Sequence, residues 1–179
     1  MNSKEIMRPA IVLLVIAGVA AALLGMVSEV TKEPIALQEQ KTLNESMTAV
    51  MPDASAFEQL EVDTEGTIVT AVYEADNGGL VITTAPGGFG GAVNTMIGIG
   101  ADGVVTGVRV TGHSETPGLG AKATEPAFYE QFNGVSGTVA VTKDGGDIVP
   151  ITSSTITSRA VCSGVQAALD WAAANGGAN

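Results

Sequence analysis

The 179 residues make about one domain's worth of chain, 45% of it hydrophobic, with 23 glycines and 7 prolines that imply many turns. Eight basic against 19 acidic side chains give a formal net charge of −11, which argues against a nucleic-acid binder, because neutralising phosphates takes clustered Lys and Arg. A charged fraction of only 15% excludes a highly charged disordered tail, and the single Cys162 and single His113 exclude a disulfide framework and leave too few ligands for a Cys- or His-based metal site.

In chain order, the first feature is an uncharged apolar run from Ala10 to Val27, AIVLLVIAGVAAALLGMV, eighteen residues long, which just reaches a membrane span. Lys4 and Arg8 precede it and Glu29 follows, so the amino end is expected in the cytoplasm and the rest outside the cytoplasmic (inner) membrane, in a single pass. The competing reading is a cleaved signal peptide at Ala20–Ala22, but the run is longer than the ~7–15 residues of a signal's apolar region; a buried core helix is a third reading, and no polar residue marks one face of the run. The expected organisation is an anchor over 1–29, a membrane-proximal helix or stalk over 30–52, helix-compatible apart from Pro34, and an outer domain over 53–179. Residues 32–179 hold 6 basic and 17 acidic side chains, so the acidic surplus lies in the outer part.

Beyond Pro52, short β-branched runs predict strands at Thr67–Tyr73, Leu80–Thr84, Val93–Ile99, Val104–Thr111 and Gly137–Thr142. Asp102-Gly103 is a tight-hairpin signal. The run Gly87–Gly91 reads by default as a mobile loop or bulged crossing, with contact to a ligand as the alternative, and lacks the Gly-Lys-Ser/Thr ending of a phosphate loop. Thr124–Phe132 predicts a short helix, and Ser158–Ala174 a longer one with Val161, Val165, Leu169 and Ala172 on one face. The class is α+β on a membrane anchor.

Two segments carry chemistry. His113–Lys122, HSETPGLGAK, is a turn in which Pro117 fixes its own φ and Gly118 and Gly120 open conformations closed to other residues; composition alone favours a plain surface turn after a strand. In Ile151–Arg159, ITSSTITSR, six of the seven positions 152–158 carry hydroxyls (Thr152, Ser153, Ser154, Thr155, Thr157 and Ser158) at the start of the last helix. Hydroxyls there cap free backbone amides, and this many beside the positive end of a helix also suit a phosphate. His113 reads as a structural hydrogen-bonding residue, Cys162 as a small core residue, and Trp171, Phe128, Tyr129 and Phe132 as packing.

The apolar span running into VTKEPIA at Val30–Ala36, with VITTAP at Val81–Pro86, HSETPGLGAK and ITSSTITSRAV, resembles the RnfG subunits of Rnf electron-transport complexes over nearly the whole chain. The NqrC subunits of sodium-pumping quinone reductases share the same FMN-binding domain. In that family a threonine hydroxyl outside the membrane is esterified to the phosphate of FMN by a separate flavin transferase, within Ser/Thr-Gly-Ala-Thr, often followed by one residue and Thr-Ser. Aligned on Thr157 and Ser158, the resemblance places the acceptor at Thr155 and matches Thr152 to the leading hydroxyl. Ser153 and Ser154 stand where the family has Gly and Ala, and Val149 where an Asp often precedes the motif; Asp147 is the nearest acid.

The resemblance implies that the hydroxyl cluster holds the FMN phosphate while the turn lines the isoalloxazine ring through Glu115, Thr116, Gly118, Leu119 and Lys122, with Lys122 the nearby cation able to favour an anionic reduced flavin. It further implies an electron-relaying flavoprotein subunit of a membrane complex that couples ferredoxin:NAD oxidoreduction to ion translocation. Its partners would be the other membrane and redox subunits. No nucleophile–base pair or metal set is evident, so catalysis by the chain alone is not expected. The alternatives are an NqrC-like subunit of an NADH:quinone reductase and a cofactor-free anchored binding module with recognition loops.

Overall fold

The computed structural model describes residues 3–175, and within them the side chains of all but 3–11, 27–37 and Glu39. Helix α1 covers Ser3–Val50. The break expected at Pro34 does not occur, since a proline removes one backbone hydrogen bond and bends a helix without necessarily ending it. The chain divides into two compact units, up to Leu43 and from Asn44 onward. In the first, every side chain from Val12 to Met26 is exposed. Among the described residues no helix is long and apolar enough to cross a membrane; the run 10–27 begins and ends at residues whose side chains lie outside the description.

The second unit is an antiparallel meander of five strands in sequence order, β1 (Phe57–Leu60), β2 (Val69–Ala75), β3 (Leu80–Thr84), β4 (Asn94–Ile99) and β5 (Val105–Gly112). Strand pleating sends alternate residues to opposite faces, and the register lines up Val72, Ile82, Ile97 and Val108 across four strands on one of them. Helix α3 (Thr155–Asn175) lies over this row and buries Val161, Val165, Ala168 and Leu169 against it. The β4–β5 hairpin turns where Asp102-Gly103 predicted: Gly103 takes φ 75°, and the Asp102 carboxylate accepts a hydrogen bond from the Val104 amide at 3.2 Å.

The opposite face is covered by the end of α1. Met47, Val50 and Met51 are fully buried there, and they come close because the facing residues are Gly98 and Gly107, which pair across β4 and β5. A Cβ on Gly107 would lie 2.9 Å from Val50 Cα, and one on Gly98 would strike the Val50 carbonyl oxygen. The Thr106 hydroxyl donates to that same oxygen at 2.6 Å, satisfying a carbonyl that the ending helix leaves unpaired.

Two expectations change and one strand is added. Gly137–Thr142 is not a strand: the Val139 amide donates to Gln166 Oε1 of α3 at 2.7 Å, and only Val141 forms a bridge, to Ile148. Its apolar residues are buried because they plug the core, not because they pair. Phe57–Leu60 is a strand that composition did not reveal, since FEQL carries two charged or polar residues at a half-exposed sheet edge. The helix predicted over 124–132 is broken into α2 (Pro126–Tyr129) between 3-10 turns at Gly120–Thr124 and Glu130–Phe132. Its aromatics pack as expected, Phe128 edge-on to Phe132 with centroids 5.6 Å apart. Cys162 is buried in the core, which pushes its thiol up to about 12 and makes it unreactive.

The close approach of α1 to the sheet gives a direct test. Gly107→Val is expected to lower stability by more than about 2 kcal/mol, because the added atoms meet backbone that cannot yield; urea unfolding followed by Trp171 fluorescence checks it, and an unchanged midpoint would refute the packing described.

Candidate functional site

The site forms where three segments meet: the loop between β3 and β4, the turn after β5, and the start of α3. Glu115 joins them. Its buried carboxylate accepts hydrogen bonds from the amides of Phe89 and Gly90 on Oε1, at 2.8 and 2.9 Å, and from the Thr157 hydroxyl on Oε2, at 2.6 Å. His113 Nδ1 accepts from the Glu115 amide at 3.2 Å, so His113 has the structural hydrogen-bonding role read for it. Burial alone would push the Glu115 carboxyl up, but the hydrogen bonds from the Thr157 hydroxyl and the Gly90 and Phe89 amides oppose it, and the carboxyl titrates below its ordinary range.

This arrangement explains the glycines around it. A Cβ on Gly88 would strike Glu115 Oε1, one on Gly90 would strike the Ser114 carbonyl, and one on Gly120 would strike Glu115 Oε2 and lie 2.7 Å from Thr157 Oγ1. The glycine loop is thus held by a buried carboxylate and closed by a Gly87–Ala92 bridge. It is neither a free loop nor a phosphate loop.

Above Glu115 lies a cavity of about 350 Å³ lined by Phe89, Glu115, Thr116, Leu119, Gly120 and residues 153–157, within the size range of small-molecule sites. Its rim is apolar: Phe89, Leu119 and Ile156 are all exposed, Phe89 by 71%. The structure therefore brings Glu115, Thr116, Leu119, Ser153, Ser154, Thr155 and Thr157 to one cavity. Thr152, Ser158, Gly118 and Lys122 are not among its lining residues. Ser158 is fully buried; its hydroxyl donates to the Ser154 carbonyl and accepts from the Ile151 amide. Lys122 is exposed in the Gly120–Thr124 turn.

Helix α3 begins at Thr155, three residues before the expected start, so Thr155, Thr157 and Ser158 belong to its first turn. None of the three spends its hydroxyl on capping: Thr157 donates to Glu115, Ser158 back-bonds to Ser154, and Thr155 Oγ1 accepts from Lys143 Nζ at 3.1 Å. Ser153 has φ 66°, the only non-glycine residue of positive φ among those described. The position where the resemblance has glycine is therefore left-handed, and a serine there carries roughly 1–2 kcal/mol of backbone strain.

Sequence reasoning missed Phe89, Gly120, Ile156 and Lys143. Phe89 carried a signal, as the single aromatic in a glycine run. Lys143 carried none, being twelve residues from Thr155 in sequence and joined to it only by the fold.

Comparison with known proteins gives the chain a family. The family model of the FMN-binding domain matches residues 88–170, from the glycine loop through most of α3, and that of the RnfG N-terminal region matches residues 1–50. The G subunit of the ion-translocating oxidoreductase complex of Methanosarcina acetivorans is 34% identical over 98% of this chain and 99% of its own length. The chain belongs to the RnfG family. The G subunit of the Na(+)-translocating ferredoxin:NAD(+) oxidoreductase complex of Acetobacterium woodii is likewise 34% identical, over 90% of this chain and 89% of that protein. The crystal structure of the C subunit of the Na(+)-translocating NADH-quinone reductase of Parabacteroides distasonis shares the fold, with a TM-score of 0.54 and 19% identity over 76% of this chain and 94% of that one.

The titration of Glu115 yields a pH test. A carboxyl whose folded pKa lies below its unfolded value, about 4.3, adds stability that is present above the unfolded pKa and lost as pH falls through the folded one. Glu115→Gln is expected to cost roughly 1.5–3 kcal/mol at pH 7, the size of hydrogen bonds to a charged group, and the gap to the natural chain should narrow as the pH is taken below about 4. Urea midpoints measured from pH 7 to pH 3 check this; a gap independent of pH would show that the charge of Glu115 is not what holds the segments.

Proposed function

We propose that this RnfG-family chain is the flavoprotein subunit of a membrane complex that couples ferredoxin:NAD oxidoreduction to ion translocation, and that it carries FMN as a phosphoester on Thr155. The observation that carries the reading is the convergence, at one cavity, of Thr155 on the first turn of α3 with an apolar rim from two other segments. The residues fit the group. Phe89, Leu119 and Ile156 offer apolar surface for a flat aromatic ring, and the hydroxyl-rich first turn of α3, where helix amides have no intrahelical partner, suits a phosphate. When bound, FMN supplies the electron-accepting and electron-donating chemistry.

The chain's own part is to hold and surround the flavin. Glu115 fixes the loop and the turn that line the cavity, and its oxygens are already engaged by Phe89, Gly90 and Thr157. It therefore acts as a brace beneath the ring rather than a proton donor to it. The 34% identity to two proteins of the RnfG type over nearly the whole chain favours this reading over membership of an NADH:quinone reductase. Partners of such a chain are the other members of the complex and a flavin transferase that loads it.

A single amino-terminal span with the flavin domain on the extracytoplasmic side completes the proposal. Every side chain from Val12 to Met26 is exposed, with Leu13, Leu14 and Leu24 between 67% and 73%, and a helix apolar on all sides needs an apolar surrounding. The covalent bond keeps the flavin from being lost outside the cytoplasm.

The mass of the mature chain tests the anchor: the full amino end should be retained in the membrane fraction, and a mature terminus at Ala22 or beyond would defeat it. After co-expression with a flavin transferase, Thr155→Ala should abolish flavin fluorescence in a denaturing gel. Thr157→Ala should keep label at reduced yield, because it removes a hydroxyl that braces Glu115. Peptide mapping that puts the label on Thr157, or on neither residue, would overturn the assignment.

A further inference from the structure

Lys143 sits in the middle of the 3-10 turn Thr142–Asp144, packed beside the first turns of α3. The turn is pinned on its next residue. Arg159, one helical turn beyond Thr155, donates to both Asp144 oxygens, Nε to Oδ2 at 2.6 Å and Nη2 to Oδ1 at 2.7 Å. The Arg159 guanidinium beside Asp144 in turn holds that carboxyl below its ordinary range. Two adjacent residues thus grip two successive turns of one helix, and this places the Lys143 ammonium 3.1 Å from Thr155 Oγ1.

A second observation points to an anion at the same place. Ser154 is more than nine-tenths buried and lines the cavity, and no protein group among the described residues engages its hydroxyl. Residues 32–179 hold 6 basic against 17 acidic side chains, so an added phosphodiester, bringing one more negative charge, gains from a cation close by. Lys122 and Lys143 are both exposed and neither is among the cavity's lining residues, but Lys143 is bonded to a lining residue, Thr155.

We propose that Lys143 is the positioning residue for flavin attachment: it orients the Thr155 hydroxyl before esterification and pairs with the phosphodiester afterwards. This rests on the flavin reading above. In the step concerned, the Thr155 Oγ–H bond is replaced by an Oγ–P bond. The phosphoryl donor is a flavin nucleotide phosphoanhydride, whose P–O–P linkage breaks to release the other phosphate as leaving group while the hydroxyl proton passes to solvent. An ammonium donating to Oγ1 fixes the hydroxyl's direction and stabilises negative charge as it develops on that oxygen. The Asp144–Arg159 pair holds the lysine in place and does not touch the acceptor.

The test uses the full chain with a flavin transferase, comparing initial rates of flavin incorporation by intact mass for the natural chain, Lys143→Met, Lys143→Arg and Asp144→Asn. Lys143→Met should label roughly tenfold more slowly, the effect of losing one charge-assisted hydrogen bond, and Lys143→Arg should recover most of the rate. Asp144→Asn, which loosens the turn but leaves the ammonium, should fall in between. The unlabelled variants should unfold at the natural chain's urea midpoint, which separates positioning from loss of fold. A Lys143→Met chain that labels at the natural rate on Thr155 would overturn the inference and leave the flavin site standing, and so would a loss of rate that tracks a lowered midpoint and is not rescued by arginine. Absence of label on the natural chain itself would remove the flavin site and this inference with it.

Discussion

The geometry of the cavity depends on one buried carboxylate. Without Glu115, the loop between β3 and β4, the turn after β5 and the first turn of α3 would have no common partner, because no strand pairing or helix ladder links them. The carboxylate stays charged although burial opposes it, since two amides and a hydroxyl point at it. A neutral side chain offers fewer acceptors and would leave amides unpaired. The demand then propagates outward: atoms packed this tightly around a carboxylate exclude Cβ atoms at Gly88, Gly90 and Gly120. What looks in the sequence like a flexible glycine-rich loop is therefore an ordered wall.

The start of α3 is specified by similarly local competition. Six hydroxyls in seven positions would be excessive for capping one helix end, and the structure divides them by task. Ser158 is spent on the backbone just before the helix, Thr157 on Glu115, and Thr155 and Ser154 remain at the cavity. The left-handed φ of Ser153 is what swings the chain from the Ile151 turn into the helix. A glycine would adopt that conformation without strain, so the serine trades some stability for an extra hydroxyl at the mouth.

Much of the fold could be read from local pattern. Four of the five strands and the closing helix follow from β-branched runs and a 3.6-residue apolar period, because the packing that stabilises them uses the same residues that give the pattern. Phe57–Leu60 could not be read so, since an edge strand is held by backbone pairing with Val72–Ala75 and needs little apolar side chain. Gly137–Thr142 misled for the converse reason: burial selected Val139 and Val141, while the backbone bonded to a helix side chain, Gln166. At the site, the hydroxyls from Ser153 to Thr157 stood out because helix-start chemistry leaves a compositional trace, whereas Glu115, Thr116 and Leu119 were reached only through the family resemblance, since the turn that holds them has the composition of a plain surface turn. Lys143 left no trace, for a lone lysine before Asp144-Gly145-Gly146 has the composition of any exposed turn, and only its bond to Thr155, with the neighbouring Asp144–Arg159 pair, joins it to the start of α3.

Charge separation at the cavity gives it a direction. The Glu115 carboxylate lines it with each of its oxygens engaged, and the Lys143 ammonium stands just outside the lining, bonded to Thr155. An anionic group entering the cavity is therefore drawn to the start of α3, where the ammonium, the free Ser154 hydroxyl and the positive end of the helix coincide, and it is repelled from the Glu115 carboxylate. An apolar ring has no such preference and is left to the surface of Phe89, Leu119 and Ile156. A ligand with a phosphate at one end and a flat apolar ring at the other is thus oriented by two independent forces, one electrostatic and one hydrophobic.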